Sequence, residues 1–433
     1  MIKKVTVLAS LSTLAFSSLL ISCAKQTSAP GNSDDLKPVT LKVYQTVAAL
    51  SDAEFQDYFV DPVKKKYPNI TLELVRDNGK DTNMDNLIAA NNVPDIIFTA
   101  SNFLFNVITK NVVYDLNDFV KKSNMDLSRF DPTAISDIKA FSNKGELLAI
   151  PFSVNSSVLV YNKEIFNKFG VPFPKDNMTW EETIGLAKQV SKTVDGTNYN
   201  GIDVNGVRKF ATALSLPLVD PASQKAVLAN DGWKKAFQTA KAITDVLVDK
   251  KIGSSTLGRF FDQSLAMFTY YVDVFGDIEK RTKDGSMSFD WDIVSMPSFP
   301  EAQGYGLRSL SHDLSITSTT PHKEEAFKVI QFLTGDEVQT ALTKRGIRLP
   351  ALKDQKIRDS FGADNPVLKG KNIPAVFLTK PAKNPQPTIY DSYAESEIGK
   401  AFDKVLQGTD INTALREAED AANQRITTEK AKN

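Results

Sequence analysis

Between residues 39 and 98 the chain alternates strand and helix patterns, and this constrains the fold more than any other feature. Residues 39–44, Val-Thr-Leu-Lys-Val-Tyr, alternate apolar and polar as a half-buried strand does. Ser51 and Glu54 have capping-box spacing and open a helix that ends near Tyr67 and Pro68. Its Lys64, Lys65 and Lys66 form a solvated last turn, where cations complement the helix dipole. Residues 70–74 alternate again, residues 84–90 are helical, and residues 93–98 make a compact apolar run typical of a strand covered on both faces. Strand, helix, strand, helix, strand at this spacing predicts an α/β fold with a mainly parallel sheet, right-handed crossovers and flanking helices.

At 433 residues the chain exceeds the size at which one core stops growing, so two domains are expected. A second informative stretch spans residues 145–184. An apolar segment, 147–150, is stopped by Pro151 and followed by Ser153, Asn155, Ser156 and Ser157. Then come an apolar run to Tyr161, a short helical piece at 163–169, a Gly/Pro loop, and Thr179 with Glu182 in another capping box. A polar loop between two buried segments is where a rigid scaffold presents a binding surface. Further on, Trp233, Phe237, Ala240 and Ile243 share one stripe of a helix over 231–250. Residues 289–296 read as a strand, 304–311 as a loop and 313–317 as a strand. Thr320 with Pro321 reads as the start of the next helix. Ile398, Ala401, Phe402 and Val405 line a late helix that Gly408 closes.

Balanced charge, 52 Lys+Arg against 52 Asp+Glu, gives no basic excess for nucleic acid or an anionic membrane surface. The two histidines, His312 and His322, form no zinc-ligand pair, and no nucleophile elbow or P-loop occurs. Gly304-Tyr-Gly306 lacks the strand and third glycine of a dinucleotide site. Asp81, Asn83 and Asp85 imitate half a calcium loop, but Asn86 and Asn92 stand where its glycine and bidentate glutamate belong. No metal, cofactor or catalytic residue is therefore expected, although carboxylate pairs for glycosidic chemistry can arise by chance among so many acidic residues. Lys3 and Lys4, an apolar run over 5–21 and Leu20-Ile21-Ser22-Cys23 read as a secretory signal with the sole cysteine at its end. Residues 24–37 are a polar tether. Trp180 and Trp233 read as core and Trp291 as core or interdomain. Tyr44, Tyr270 and Tyr271 sit at strand ends, open either to core packing or to a ligand crevice.

Taken in order, these segments resemble the family 1 extracellular solute-binding proteins of ATP-binding-cassette importers, the class of the maltose-binding protein. The resemblance covers about residues 38–427. It rests on Pro94-Asp95-Ile96-Ile97, the segment 145–151 with Tyr161-Asn162-Lys163, Thr179-Trp180-Glu181-Glu182, Leu265-Ala266-Met267, residues 292–297, the strand at 315–317 before Lys323-Glu324-Glu325-Ala326, and residues 414–426. Leu-Ile-Ser-Cys resembles a bacterial lipobox, which implies cleavage after residue 22 and diacylglycerol on Cys23.

The resemblance implies a two-lobed periplasmic-binding-protein-like fold with the ligand cleft between lobes. One lobe would take residues 38–125 and 308–375, the other 126–307 and 376–430. By position it implies ligand contacts at Tyr44, Gln45, Thr46, Ser101, Asn102, Phe103, Phe152, Ser153 and Asn155, faced by Tyr270, Tyr271 and Asp273, with Arg308 and His312 beside the second hinge. The expected partners are a carbohydrate or oligosaccharide, permease subunits and, through the lipid anchor, the extracytoplasmic face of the cell membrane. The expected state is a monomer without nucleic acid. Two rival readings are a secreted polysaccharide-active enzyme and a sensor accessory for a non-sugar solute.

Overall fold

The structure, a computed structural model, describes residues 37–46, 50–204, 206–251, 253 and 255–432. The expected leader, Cys23 and the expected tether up to residue 36 lie outside these. The first strands are β1 (Val39–Gln45), β2 (Ile70–Arg76), β3 (Ile96–Ala100), β4 (Ile150–Asn155) and β5 (Ser157–Asn162). Next come β6 (Lys192–Val194), β7 (Thr197–Asp203), the short pair β8 (Val219–Asp220) and β9 (Lys225–Ala226), β10 (Leu265–Tyr271) and β11 (Trp291–Ser295). The last are β12 (Tyr305–Arg308), β13 (Leu310–Ile316), β14 (Leu349–Pro350) and β15 (Lys380–Ala382).

Two sheets organise the lobes. A six-stranded sheet has the order β14-β4-β13-β3-β1-β2, and a five-stranded sheet the order β11-β5-β10-β7-β6. β1 runs parallel to β2 and to β3, as the alternation predicts. Both sheets are nonetheless mixed: β13 lies antiparallel between β3 and β4, and β5 antiparallel between β10 and β11. The cause is how the chain changes sheet. Only Ser156 separates β4 from β5, and only Ser309 separates β12 from β13. A link of one residue leaves no room to reverse, so each strand enters its new sheet in the sense in which it left the old one.

That connection moves two expected boundaries. The first crossing falls at Ser156 and not near residue 125, because β4 is still a strand of the six-stranded sheet. Residues 304–311 are not a loop but hold β12 and the start of β13. Their strand character is invisible locally, since β12 pairs with β15, some seventy residues on, across an irregular register. The helix expected to start at Thr320-Pro321 spans Lys323–Leu333, and the Thr320 hydroxyl instead accepts from His322 N–H at 3.1 Å.

Local signals elsewhere translate directly. The Ser51–Glu54 capping box opens a helical run from Asp52 to Lys66 that passes through a π turn at Gln56–Val60. The Thr179–Glu182 box opens Trp180–Val190. Three apolar clusters follow. One, with Leu41, Phe59, Phe98, Phe152 and Ile330, packs on the six-stranded sheet. A second, with Trp180, Phe210, Trp233, Phe237 and Phe402, packs on the five-stranded sheet and takes in the terminal helices Asp391–Leu406 and Ile411–Lys430. The third joins Val154 and Leu349 of one sheet to Val158, Phe268 and Ile293 of the other, and contains Trp291.

The crossings pack on one another. Ser156 Oγ donates to the Val376 carbonyl at 2.8 Å, and Ser157 Oγ accepts from Leu307 N–H at 3.0 Å. Gly306 sits where they converge: a Cβ there would lie 2.6 Å from Ser157 Oγ and 3.2 Å from Thr379 Oγ1. Only glycine permits this approach. Among the described residues no helix is long and apolar enough to cross a membrane.

Candidate functional site

Beside the crossings lies a cleft of about 920 Å³, the size of a small-molecule site. One wall comes from helices Ser101–Ile108 and Pro132–Lys139 with the turn that follows, which belong to the six-stranded lobe. The other comes from Arg208, the loop around Pro217 and Leu218, and the segment from Lys383 to Glu395. Arg308, at the end of β12, lies between them.

The walls differ in chemistry. On the first, Phe103, Phe105 and Phe141 present rings, and the Phe105 and Phe141 centroids are 6.1 Å apart. Ser101, Asn102, Asn106 and Thr109 add hydroxyls and amides. On the second, Pro217, Leu218, Pro385, Pro387 and Ile389 make an apolar face. Ile389, 57 % exposed, adds a large aliphatic side chain to that face.

Charged groups line the floor. Arg208 pairs with Glu395. Burial, and the like charge of Arg308, push Arg208 down to about 10. Asp391 accepts from the Thr388 N–H at 3.2 Å and from its hydroxyl at 2.8 Å, while burial raises its pKa. Asp137, pushed up to about 6 chiefly by burial, accepts from the Asn384 amide at 2.6 Å. The same amide donates to the Ser309 carbonyl at 3.0 Å. Asn384 thus ties the strap after β15 to a helix of the opposite lobe and to the second crossing. Among the described residues the Arg308 guanidinium has no hydrogen-bonded partner, while its backbone carbonyl accepts from Tyr271 Oη at 3.3 Å.

Of the residues expected to touch a ligand, Ser101, Asn102, Phe103 and Arg308 lie on the cleft. The others do not line it. Tyr44 is fully buried in a small cluster with Met84, Leu87 and Ile97, and its hydroxyl donates to Asp77 at 2.8 Å. Phe152 is equally buried, 4.9 Å from Phe59 and 5.7 Å from Phe98 between ring centroids. β4 along its length and β1 over its last three residues are covered on both faces, so even a residue near a strand end stays in the core. Gln45 accepts from Leu50 N–H at 3.3 Å, and the Thr46 hydroxyl meets that of Thr99 at 2.6 Å.

Ser153, His312 and Arg348 form a buried chain. Ser153 Oγ lies 3.0 Å from His312 Nδ1, the Arg348 guanidinium lies against that ring, and Arg348 Nε donates to Glu54 at 2.8 Å. Burial, then the Arg348 charge, hold His312 well below its ordinary pKa, so the ring is neutral. Asn155 and Asp273 face each other, and burial raises Asp273 against the opposing pull of Arg348. Tyr270 packs under the Lys209 ammonium, 4.8 Å from the ring centroid, and Tyr271 braces Arg308 from behind.

Residues 59–366 match the profile of the bacterial extracellular solute-binding proteins. The chain belongs to that family. It is 28% identical over 209 residues to the arabinooligosaccharide-binding protein of Bacillus subtilis (strain 168), a match spanning 45% of each chain. Its fold is similar to that of an ABC substrate-binding protein of Listeria monocytogenes in complex with cycloalternan, at TM-score 0.73 and 19% identity, covering 90% of this chain and 100% of that one. The sugar-binding protein MalE of Xanthomonas citri is similar at TM-score 0.70 and 17% identity, covering 90% and 98%. The two-lobed periplasmic-binding-protein-like architecture is thereby established. The cleft residues that the sequence did not single out include Phe105, Phe141, Asp137, Arg208, Asn384, Ile389 and Asp391.

Proposed function

We propose that the protein captures an extracellular carbohydrate, most naturally an oligosaccharide, in the cleft between its lobes and delivers it to an ABC importer. The observation that carries this reading is the composition of the cleft: aromatic and proline-rich walls for sugar faces, and a charged and amide-rich floor for hydroxyls. A small-molecule site of this kind combines a mostly apolar lining with a few placed polar groups. Relatives that bind arabinooligosaccharide and cycloalternan support the solute class. No catalytic step is assigned to the cleft.

Closure follows from the geometry. A ligand touching both walls favours the closed form by its difference in affinity for the two states, and a near-complete shift needs about 5.5 kcal/mol of preference. The Cys23 diacylglycerol anchor, the extracytoplasmic membrane location, the permease subunits as partners and the monomeric state belong to the same proposal. An acyl tether would raise the effective concentration of the protein at its importer. A thermal-shift screen of di- to tetrasaccharides tests the reading, since a ligand bound to the native state alone stabilises it by mass action. At least one oligosaccharide should raise the melting temperature in a dose-dependent way. If none does while a non-sugar solute does, the carbohydrate reading is wrong.

A further inference from the structure

Among the described residues, the Arg308 guanidinium lies on the cleft without a hydrogen-bonded partner. Arg308 is half-buried where the two walls meet, and its guanidinium carries five N–H donors in a fixed planar fork. The carboxylates around it are already engaged by other donors: Glu395 by Arg208, Asp391 by Thr388, and Asp137 by Asn384. Arg208, the second cleft arginine, is near enough for the two like charges to oppose each other. Asp137 and Asp391 are near enough to attract the Arg308 charge but give their hydrogen bonds to other groups, so closing the cleft over a ligand that offers Arg308 no acceptor would withdraw water from its N–H donors and leave them unmet, which is costly.

We propose that Arg308, supported by Arg208, is the specificity-determining residue for a carboxylate on the bound sugar, and that the solute is an oligosaccharide containing hexuronate. This rests on the carbohydrate reading above and narrows it. The planar fork of an arginine matches a carboxylate through two parallel N–H···O bonds, a match that a lysine does not provide. Tyr271 holds the arginine in place from behind by donating its hydroxyl hydrogen to the Arg308 carbonyl, so the guanidinium is left for the ligand. The rings of Phe103, Phe105 and Phe141 then take sugar faces beyond the acidic group.

The test is isothermal titration of the full-length chain, purified in detergent, with two matched sets of disaccharides and trisaccharides. One set carries galacturonate or glucuronate units; in the other each carboxyl is replaced by the neutral hydroxymethyl. An acidic member should bind at least tenfold tighter than its neutral counterpart, and its affinity should fall as salt rises from 50 to 500 mM. Arg308→Gln should weaken the acidic ligand at least tenfold and the neutral one less than twofold, with Arg308→Lys between. Comparing the two sets on the unmodified chain stands whatever the variants do to folding. Neutral ligands binding as tightly as acidic ones, or Arg308→Gln weakening both alike, would overturn the proposal and leave the carbohydrate reading standing. If no sugar of either set binds, both fall together.

Discussion

Two regions beside the crossings differ in an instructive way: strand β4 with its neighbours, and the strap from Lys383 to Asp391. Both are close to a point where the chain changes lobes, and both mix apolar and polar residues. β4 is buried along its whole length, Phe152 in the aromatic core and Ser153 against His312. The strap has no regular structure between β15 and the helix Asp391–Leu406, and it exposes Ile389 and its prolines to the cleft. A central strand has its backbone hydrogen bonds and both side-chain faces committed to the sheet, so little is left for a ligand. A strap anchored by one amide at Asn384 and a Thr388–Asp391 turn keeps its side chains available. The recognisable motif and the ligand surface are thus different stretches of chain.

The largest expected effect separates them by stability. Phe152→Ala empties a fully buried site among Phe59 and Phe98 and should cost about 3–5 kcal/mol. Ile389→Ala should change the unfolding midpoint little and weaken ligand binding about three- to tenfold, through lost apolar contact. Urea denaturation and calorimetric titration on the same preparations measure both. Comparable affinity losses in the two variants, at a temperature where both are folded, would break the contrast.

How much of this the sequence could show follows from the same physics. Strand–helix alternation, capping boxes and the stripe containing Trp233 are local signals with a fixed period, and the elements they predict are present. The burial of Tyr44 and Phe152 was not legible: a strand end next to a polar loop looks alike whether or not a neighbouring strand covers it. The cleft wall was harder still. Phe105 lies in one helix, Phe141 in the turn after another, Arg208 in a third helix and Asn384 in an aperiodic strap, so only the fold brings them together. Arg308 came through the family resemblance alone. Its own surroundings read as a loop, because the partner of β12 is β15, far along the chain.

A smaller effect comes from two carboxyls, one in each setting. Asp313 lies in β13, fully buried, and burial together with the Asp137 carboxylate pushes it up to about 8. Asp137 is on the cleft and is pushed up to about 6. In each case the folded state binds its proton more tightly than the unfolded chain, whose ordinary carboxyl value is about 3.9. Stability from these groups is therefore greatest below about pH 4 and is lost as pH rises, through about 6 for Asp137 and about 8 for Asp313. Asp313→Asn should flatten the pH dependence between 4 and 8 and gain about 1–3 kcal/mol at pH 8. Ligand should move the Asp137 part directly and the Asp313 part less, only through Asp137. Chemical denaturation at four pH values, with and without ligand, checks the sign, and stability that increases from pH 5 to 8 in step with Asp313 ionisation contradicts it.

The smallest effect concerns Asn384, which links the strap to both Asp137 and the second crossing. A hydrogen bond to a carboxylate such as Asp137 contributes at most about 1.5–3 kcal/mol net, so Asn384→Ala should alter the midpoint of unfolding only modestly. Its consequence should lie in the lobes. Without the amide the strap no longer holds the helix Pro132–Lys139, and an equilibrium biased by about 1 kcal/mol moves roughly fivefold toward the open form. Small-angle scattering of the ligand-free variant should show a larger radius of gyration than the unmodified chain, and saturating ligand should restore the compact value. Asn384→Asp should open it further, because a second carboxylate would then face Asp137. Identical scattering from all three would mean that the packed crossings at Ser156, Gly306 and Ser309, and not the strap, set the resting separation of the lobes.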